Sequence, residues 1–185
     1  MIFDLDQITV KEFYQLEEKE AEKYLKLETL LKFNGDKFLK YKATPLGDLT
    51  FGEVGTIKKN LSDPGFDSLF DCFTIIYGVK KTAYLGADIV SYFYAMKWIK
   101  QEIVKLIDTQ KKVLEGEKDF AMEMAGAERL SIFGEFATLV IVGRSFGLDP
   151  EIIENWKYNK VFSILAYDKI HGEVQKRYNE LKYKK

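Results

Sequence analysis

The sequence predicts an all-α fold: a single-domain bundle of about six or seven helices, with one long central helix and a C-terminal helix. Three observations predict it. Apolar residues recur at helical spacing over long stretches. N-capping patterns precede several of these stretches, and the 185 residues include only 3 prolines, each near a proposed helix start or in a loop. Residues 1–185 are enough to bury a sizeable core, so one domain is expected.

The first helix is predicted to begin after Thr9. Thr9 and Glu12 match the capping-box pattern, in which each side chain satisfies a free backbone N–H of the first turn. Residues 12–33 are rich in helix formers, and the helix is expected to end before Asn34. A short extended segment is predicted near residues 37–43.

Two further helices are predicted before the centre of the chain. Thr50 and Glu53 repeat the capping pattern, so a helix is expected from there to about residue 60. Residues 66–77 are dense in aromatic and aliphatic side chains and are interpreted as a buried helix that ends at Gly78. A strand stays open as an alternative for this stretch, because it contains a run of β-branched residues.

The longest helix is predicted over residues 85–114. Its apolar residues form one broad stripe, with Tyr94 and Trp98 on roughly the opposite side, so it is expected to run through the middle of the bundle. One further helix is predicted over residues 117–147. The final helical unit begins at residues 149–151, where an N-cap Asp, a Pro at N1 and a Glu in the first turn follow one another.

Charge and cysteine content exclude several classes of function. Lys and Arg together number 28 and Asp and Glu 29, so no bulk charge attracts the chain to nucleic acid or to a membrane surface. The single cysteine, Cys72, excludes an intrachain disulfide framework and fits a reducing compartment. The N-terminus lacks a basic leader, and the longest apolar stretch is too short to cross a bilayer, so a cytoplasmic location is expected.

No catalytic, cofactor or metal site is predicted. Lys81 and Thr82 look like the tail of a phosphate-binding loop, but the glycines that such a loop requires are missing. His171 is the only histidine, too few for a structural zinc site, and is interpreted as a surface residue. Cys72 is interpreted as a small buried hydrophobe, since apolar surroundings raise the pKa of a thiol. The chain is therefore predicted not to be an enzyme.

The closing helix carries an apolar stripe that changes face near Ala166. Two interpretations stay open. In the first, the helix kinks near Gly172 or packs between parts of its own domain. In the second, residues 167–185 project from the domain and offer their stripe to a protein partner. The predicted partner-binding residues are Trp156, Tyr158, Tyr167, Ile170, Val174, Tyr178 and Leu181.

Near residue 50 the chain reads "PLGDLTFGEVGTIKKNL", and its C-terminal third contains "AGAERLSIFGEFATL" followed by "WKYNKVFSILAYDKIHGEVQKRYNEL". These segments resemble the tail-morphogenesis proteins of tailed bacteriophages. That group includes tail assembly chaperones, which shield the tape-measure protein before the tube polymerises, and baseplate or connector assembly factors. The positions that carry the resemblance are Arg129, Phe133, Gly134, Trp156, Tyr158, Val161, Phe162 and Leu165.

The resemblance implies a non-enzymatic chaperone or morphogenesis factor. Such a protein binds a helical client, a phage tail or tape-measure protein, through an apolar helix surface in the host cytoplasm. It needs no cofactor and has no nucleic-acid or membrane partner. Two alternatives stay open: a self-associating structural subunit of the baseplate or connector, located in the virion, and a helical regulatory adaptor.

Overall fold

Helices dominate the computed structural model, which describes residues 7–31, 35–116 and 124–183. The all-α prediction is confirmed. The chain divides into two compact units, one formed by Met1–Leu46 with Thr56–Lys105 and the other by Gly47–Gly55 with Leu106–Lys185. The organisation of residues 1–185 as one domain stays a prediction.

The described residues form nine α-helices, two 3-10 helices and one short antiparallel sheet. The α-helices are α1 Val10–Phe13, α2 Glu18–Leu30, α3 Phe51–Ser62, α4 Phe66–Tyr77, α5 Lys81–Leu85, α6 Ile89–Leu114, α7 Gly134–Phe146, α8 Pro150–Glu154 and α9 Tyr158–Tyr183. The 3-10 helices are Leu46–Asp48 and Ala127–Phe133, and the strands are β1 Lys37–Phe38 and β2 Tyr41–Lys42.

The predicted first helix is two helices. Its capping box is confirmed, because Thr9 N donates to Glu12 Oε2 at 2.7 Å and Glu12 N donates to Thr9 Oγ1. The prediction of one continuous helix is wrong, since α1 is only four residues long. Val10 N donates to Ala87 O at 2.9 Å, and the buried Phe13 ring meets Phe93 edge to face. These contacts with distant residues fix the position of α1. The helix therefore ends there, even though the residues that follow favour helix formation. The predicted end at residue 33 lies outside the described residues.

The predicted extended segment is confirmed as the β1–β2 hairpin, which pairs Phe38 with Tyr41. The fully buried Phe38 ring lies 4.7 Å from Phe73 of α4. The predicted capping pair of α3 is also confirmed, as Thr50 N donates to Glu53 Oε2 at 2.7 Å. Residues 66–77 form a helix rather than the alternative strand.

Aromatic rings form the core of the first unit. The Phe73 centroid lies 5.0 Å from the ring of Tyr84 and 5.3 Å from that of Tyr92, and all three side chains are buried. α4 ends where predicted, at Gly78, whose φ of 64° is one that glycine adopts without a steric penalty. The aromatic stretch that the sequence identified as a buried helix is therefore the centre of this unit.

The long helix begins four residues later than predicted. A separate short helix, α5, ends at Gly86, and Asp88 accepts a hydrogen bond from Ser91 N at 2.8 Å at the start of α6. Tyr92 and Trp98 are both buried, so the helix is covered on more than one side within the first unit.

The described part of the predicted helix 117–147 is also divided. Ala127–Phe133 is a 3-10 helix, and α7 begins only at Gly134, whose φ of 48° and ψ of −131° interrupt the helical path. The predicted N-cap at Asp149 is confirmed, because its Oδ1 accepts from Glu151 N at 3.0 Å. The final helical unit is two helices rather than one, since three residues separate α8 from α9.

Candidate protein-interaction surface

The start of α9 is fixed by backbone contacts with residues 49–51 of the second unit. Tyr158 N donates to Leu49 O at 2.8 Å, and Phe51 N donates to Trp156 O at 2.8 Å. Lys157 lies between these two bonds in an antiparallel bridge with Thr50. Because the backbone groups of residues 156 and 158 are used in this bridge, the chain leaves the helical path between α8 and α9.

Tyr158 belongs to the core of the second unit. Its ring stacks at 5.8 Å on Phe51 and at 6.3 Å on Phe162, and the side chain is 4% exposed. Burial raises the pKa of the Tyr158 hydroxyl above its usual range, and the negative charge of Glu135 acts in the same direction. The fully buried Val161 continues this face of α9. The first half of α9 is therefore a packed core helix.

Lys169 joins α9 to the C-terminal end of α6 within the second unit. Its Nζ donates to Val113 O at 2.9 Å and to Glu115 O, the carbonyl groups at the C-terminal end of α6. A cation is favourable there, because the last carbonyls of a helix have no intrahelical donor and carry partial negative charge. Glu173 accepts from the same ammonium group at 3.5 Å.

Beyond Lys169, α9 is exposed on every face: each residue from 171 to 180 is solvent-exposed. On one face of α9, from residue 167 onward, lie five large apolar side chains, each between 56% and 66% exposed. We call them the α9 stripe; they are Tyr167, Ile170, Val174, Tyr178 and Leu181. At about 100° per residue, the centre of the stripe lies about 140° around the helix from Lys169. The stripe thus faces away from the contact with α6.

The interpretation in which the second half of this helix packs inside the domain is wrong, because residues 171–180 are all exposed. α9 also continues through Gly172 as one helix. The seven predicted partner-binding residues are not one surface. Tyr158 is buried by Phe51 and Phe162 and is not accessible to a partner. Trp156 is half-buried, with the Lys160 ammonium 3.2 Å above its ring and Phe146 against its edge. The five residues of the α9 stripe are brought together and exposed.

A groove of about 480 Å³ leads into the α9 stripe from the end of α7. Phe146 lies on one side of it, and Ile164 and Tyr167 of α9 form the other side. Lys160 and Asp168 line it with charges of opposite sign. The groove and the stripe together form a continuous, mostly apolar surface along α9.

A second exposed apolar face lies on α7. Phe136, Ala137, Val140 and Ile141 follow the spacing of one helix face, and Phe136 and Ile141 are more than half exposed. The buried side of α7, with Leu139, Val142 and Gly143, packs on α8, where a Cβ on Gly143 would lie 3.7 Å from Ile153 Cγ1. The sequence did not identify this face, because α7 is apolar nearly all round and only the position of α8 determines which side is covered.

Lys81, Cys72 and His171, which the sequence offered as candidate site residues, have the contacts and exposure of ordinary structural or surface residues. Lys81 pairs with Asp67 at 3.7 Å and lies over the Phe66 ring. Cys72 is fully buried, and burial raises the pKa of its thiol to about 11, so the thiol is neutral near pH 7. His171 is exposed on α9 and stacks on Tyr167. Within residues 7–31, 35–116 and 124–183, no three His, Cys, Asp or Glu side chains are grouped closely enough to hold a metal ion.

Residues 47–55 of the first segment that resembles tail-morphogenesis proteins lie in the second unit, together with the C-terminal resembling segments. Leu49 and Phe51 come from the first segment, and they form backbone hydrogen bonds with Tyr158 and Trp156 of the C-terminal segment.

Within the described part of the chain, no helix has the length and apolarity that a bilayer-spanning segment needs. No protein-family model, no curated protein and no solved structure matches this chain.

Proposed function

We propose that this protein is a non-enzymatic assembly factor that binds an α-helix of another protein along the α9 stripe. The observation that supports this proposal is the exposure of five large apolar side chains at helical spacing, on the face of α9 turned away from its contact with α6. Single exposed apolar residues are ordinary on protein surfaces, whereas a contiguous stripe is typical of an interaction site. Apolar anchors at this spacing are a common way to bind an amphipathic helix.

The size of the stripe favours a weak and reversible complex. Completing the burial of a partly exposed large apolar side chain stabilises a complex by roughly 1 kcal/mol. Five such residues and their counterparts on the client contribute about 10 kcal/mol, and association costs at least about 4 kcal/mol of lost freedom. The remainder corresponds to a Kd of tens of micromolar or weaker. A chaperone that must release its client needs a contact of this kind.

The client that we propose is a helical segment of a phage tail protein, with the tape-measure protein as the first candidate. The packing of Leu49–Phe51 on Trp156–Tyr158 supports this proposal, because the two resembling segments form one local structure that anchors α9. The protein then acts in the host cytoplasm and is absent from the finished particle. A structural subunit would instead remain in the particle, and mass spectrometry of purified particles distinguishes the two.

The variant Val174→Glu tests the proposal. It places a charge in the middle of the α9 stripe, so we expect it to abolish co-purification with a co-expressed phage tape-measure protein. Its thermal unfolding should match that of the unmodified protein, because surface substitutions usually change stability by less than about 0.5 kcal/mol. Asn179→Glu adds the same charge to an exposed position on another face of α9 and should retain the client. Equal retention by both variants would overturn the proposal.

A further inference from the structure

We infer that the helix bound by the α9 stripe carries Asp or Glu residues along both edges of its own apolar face. The inference rests on the proposed function and adds the charge of the client to it. It depends on which charged residues border the stripe. An exposed apolar helix face accepts many amphipathic helices, and the charges at its edges select among them.

The two edges of the stripe are basic. At about 100° per residue, Arg177 lies about 60° from the centre of the stripe on one side, and Lys182 lies about 80° from it on the other. Both side chains are exposed. They lie beside Val174, Tyr178 and Leu181, so a helix docked on these residues passes between two cations.

The acidic residues of the segment lie farther from the centre of the stripe than the two basic ones. Asp168, Glu173 and Glu180 lie about 100–120° from its centre, farther round the helix than Arg177 and Lys182. Glu173 also faces the Lys169 ammonium at 3.5 Å, on the side where α9 contacts the end of α6. Beside Val174, Tyr178 and Leu181, the charged side chains nearest to a client helix are therefore the two cations.

The same charges disfavour a second copy of this chain as the occupant. Pairing two α9 stripes, in either orientation, brings Arg177 and Lys182 of one copy against the basic edges of the other. Like charges at facing edge positions of paired helices are unfavourable, and opposite charges there determine the choice of partner. A client helix with Asp or Glu at both edges of its apolar face can pair with Arg177 and with Lys182.

Two synthetic peptides test this inference. Both have the length of residues 167–183 and the same apolar stripe, but one has Glu and the other has Lys at the edge positions. We expect the unmodified protein to bind the Glu peptide about fivefold to tenfold more tightly than the Lys peptide, because only the Glu peptide forms two partly exposed ion pairs with the protein. The preference should decrease as salt is raised. It should reverse in the double variant Arg177→Glu, Lys182→Glu, which keeps the stripe intact.

The outcomes separate this inference from the proposed function. Equal binding of both peptides, lost in Val174→Glu, would overturn the acidic-client inference and leave the proposed function standing. Binding of neither peptide, together with retention of the tape-measure protein by Val174→Glu, would overturn both. Concentration-dependent dimerisation that Val174→Glu abolishes would identify a second copy as the occupant and overturn the inference. A salt-dependent preference for the Glu peptide that reverses in the double variant would support it.

Discussion

We expect a chain that ends at Gly172 to remain folded and to lose the proposed client. The removed residues include Val174, Tyr178 and Leu181 of the α9 stripe, all of them more than half exposed. With roughly 1 kcal/mol of burial for each side chain and as much for its counterpart on the client, their loss removes about 6 kcal/mol and should abolish measurable binding. The stability of the remaining chain should change little, because the residues from 171 to 180 are all exposed. Thermal unfolding and co-purification with the tape-measure protein measure the two effects.

A second truncation provides the control. A chain that ends at Ala166 also loses Lys169, which donates to the terminal carbonyl groups of α6. We expect this shorter chain to unfold at a lower temperature, since charge-assisted hydrogen bonds at a helix end stabilise by about 0.5–2 kcal/mol. If the chain ending at Gly172 unfolds as early as the shorter one, or without cooperativity, then α9 is part of the core and the account of its exposure is wrong.

Phe73→Ala is expected to be the most damaging single substitution in the first unit. The fully buried ring contacts Phe38, Tyr84 and Tyr92 at centroid distances of 4.7, 5.0 and 5.3 Å. Removing it leaves a cavity among rings that cannot collapse, which costs about 3–5 kcal/mol of the free energy of unfolding. Urea denaturation followed by tyrosine fluorescence measures the loss.

The matched control for this substitution is Phe136→Ala. It removes the same side chain from a helix position that is 53% exposed, so the urea midpoint should shift much less. A large loss at Phe136 would mean that the apolar face of α7 is covered, and it would remove that face from the candidate interaction surface. Similar small losses at both positions would contradict the aromatic core described for the first unit.

Local signals in the sequence predicted where helices begin. The capping pairs at Thr9 and Thr50 and the N-cap at Asp149 act over three residues or fewer, so they can be identified from the sequence alone. The breaks could not be predicted in the same way. The interruption between α8 and α9 depends on hydrogen bonds from residues 49–51, which are about one hundred positions away in the chain.

The candidate surface was predictable only in part. The spacing of the five residues in the α9 stripe is a property of the sequence, but their exposure is not. Tyr158 has the same residue type and lies on the same helix, and it is buried because Phe51 stacks on it. The apolar face of α7 gave no distinguishing signal, since burial depends on which neighbour a helix meets rather than on its own pattern.

Site-specific photo-crosslinking tests the central claim most directly. A photoreactive amino acid replaces Val174 in one variant and Asn179 in another, both in cells that produce the tail proteins. The account predicts an adduct between position 174 and one partner protein, through a helical segment with acidic edges, and none from position 179. Adducts of equal yield from both positions, or none from position 174, would contradict it.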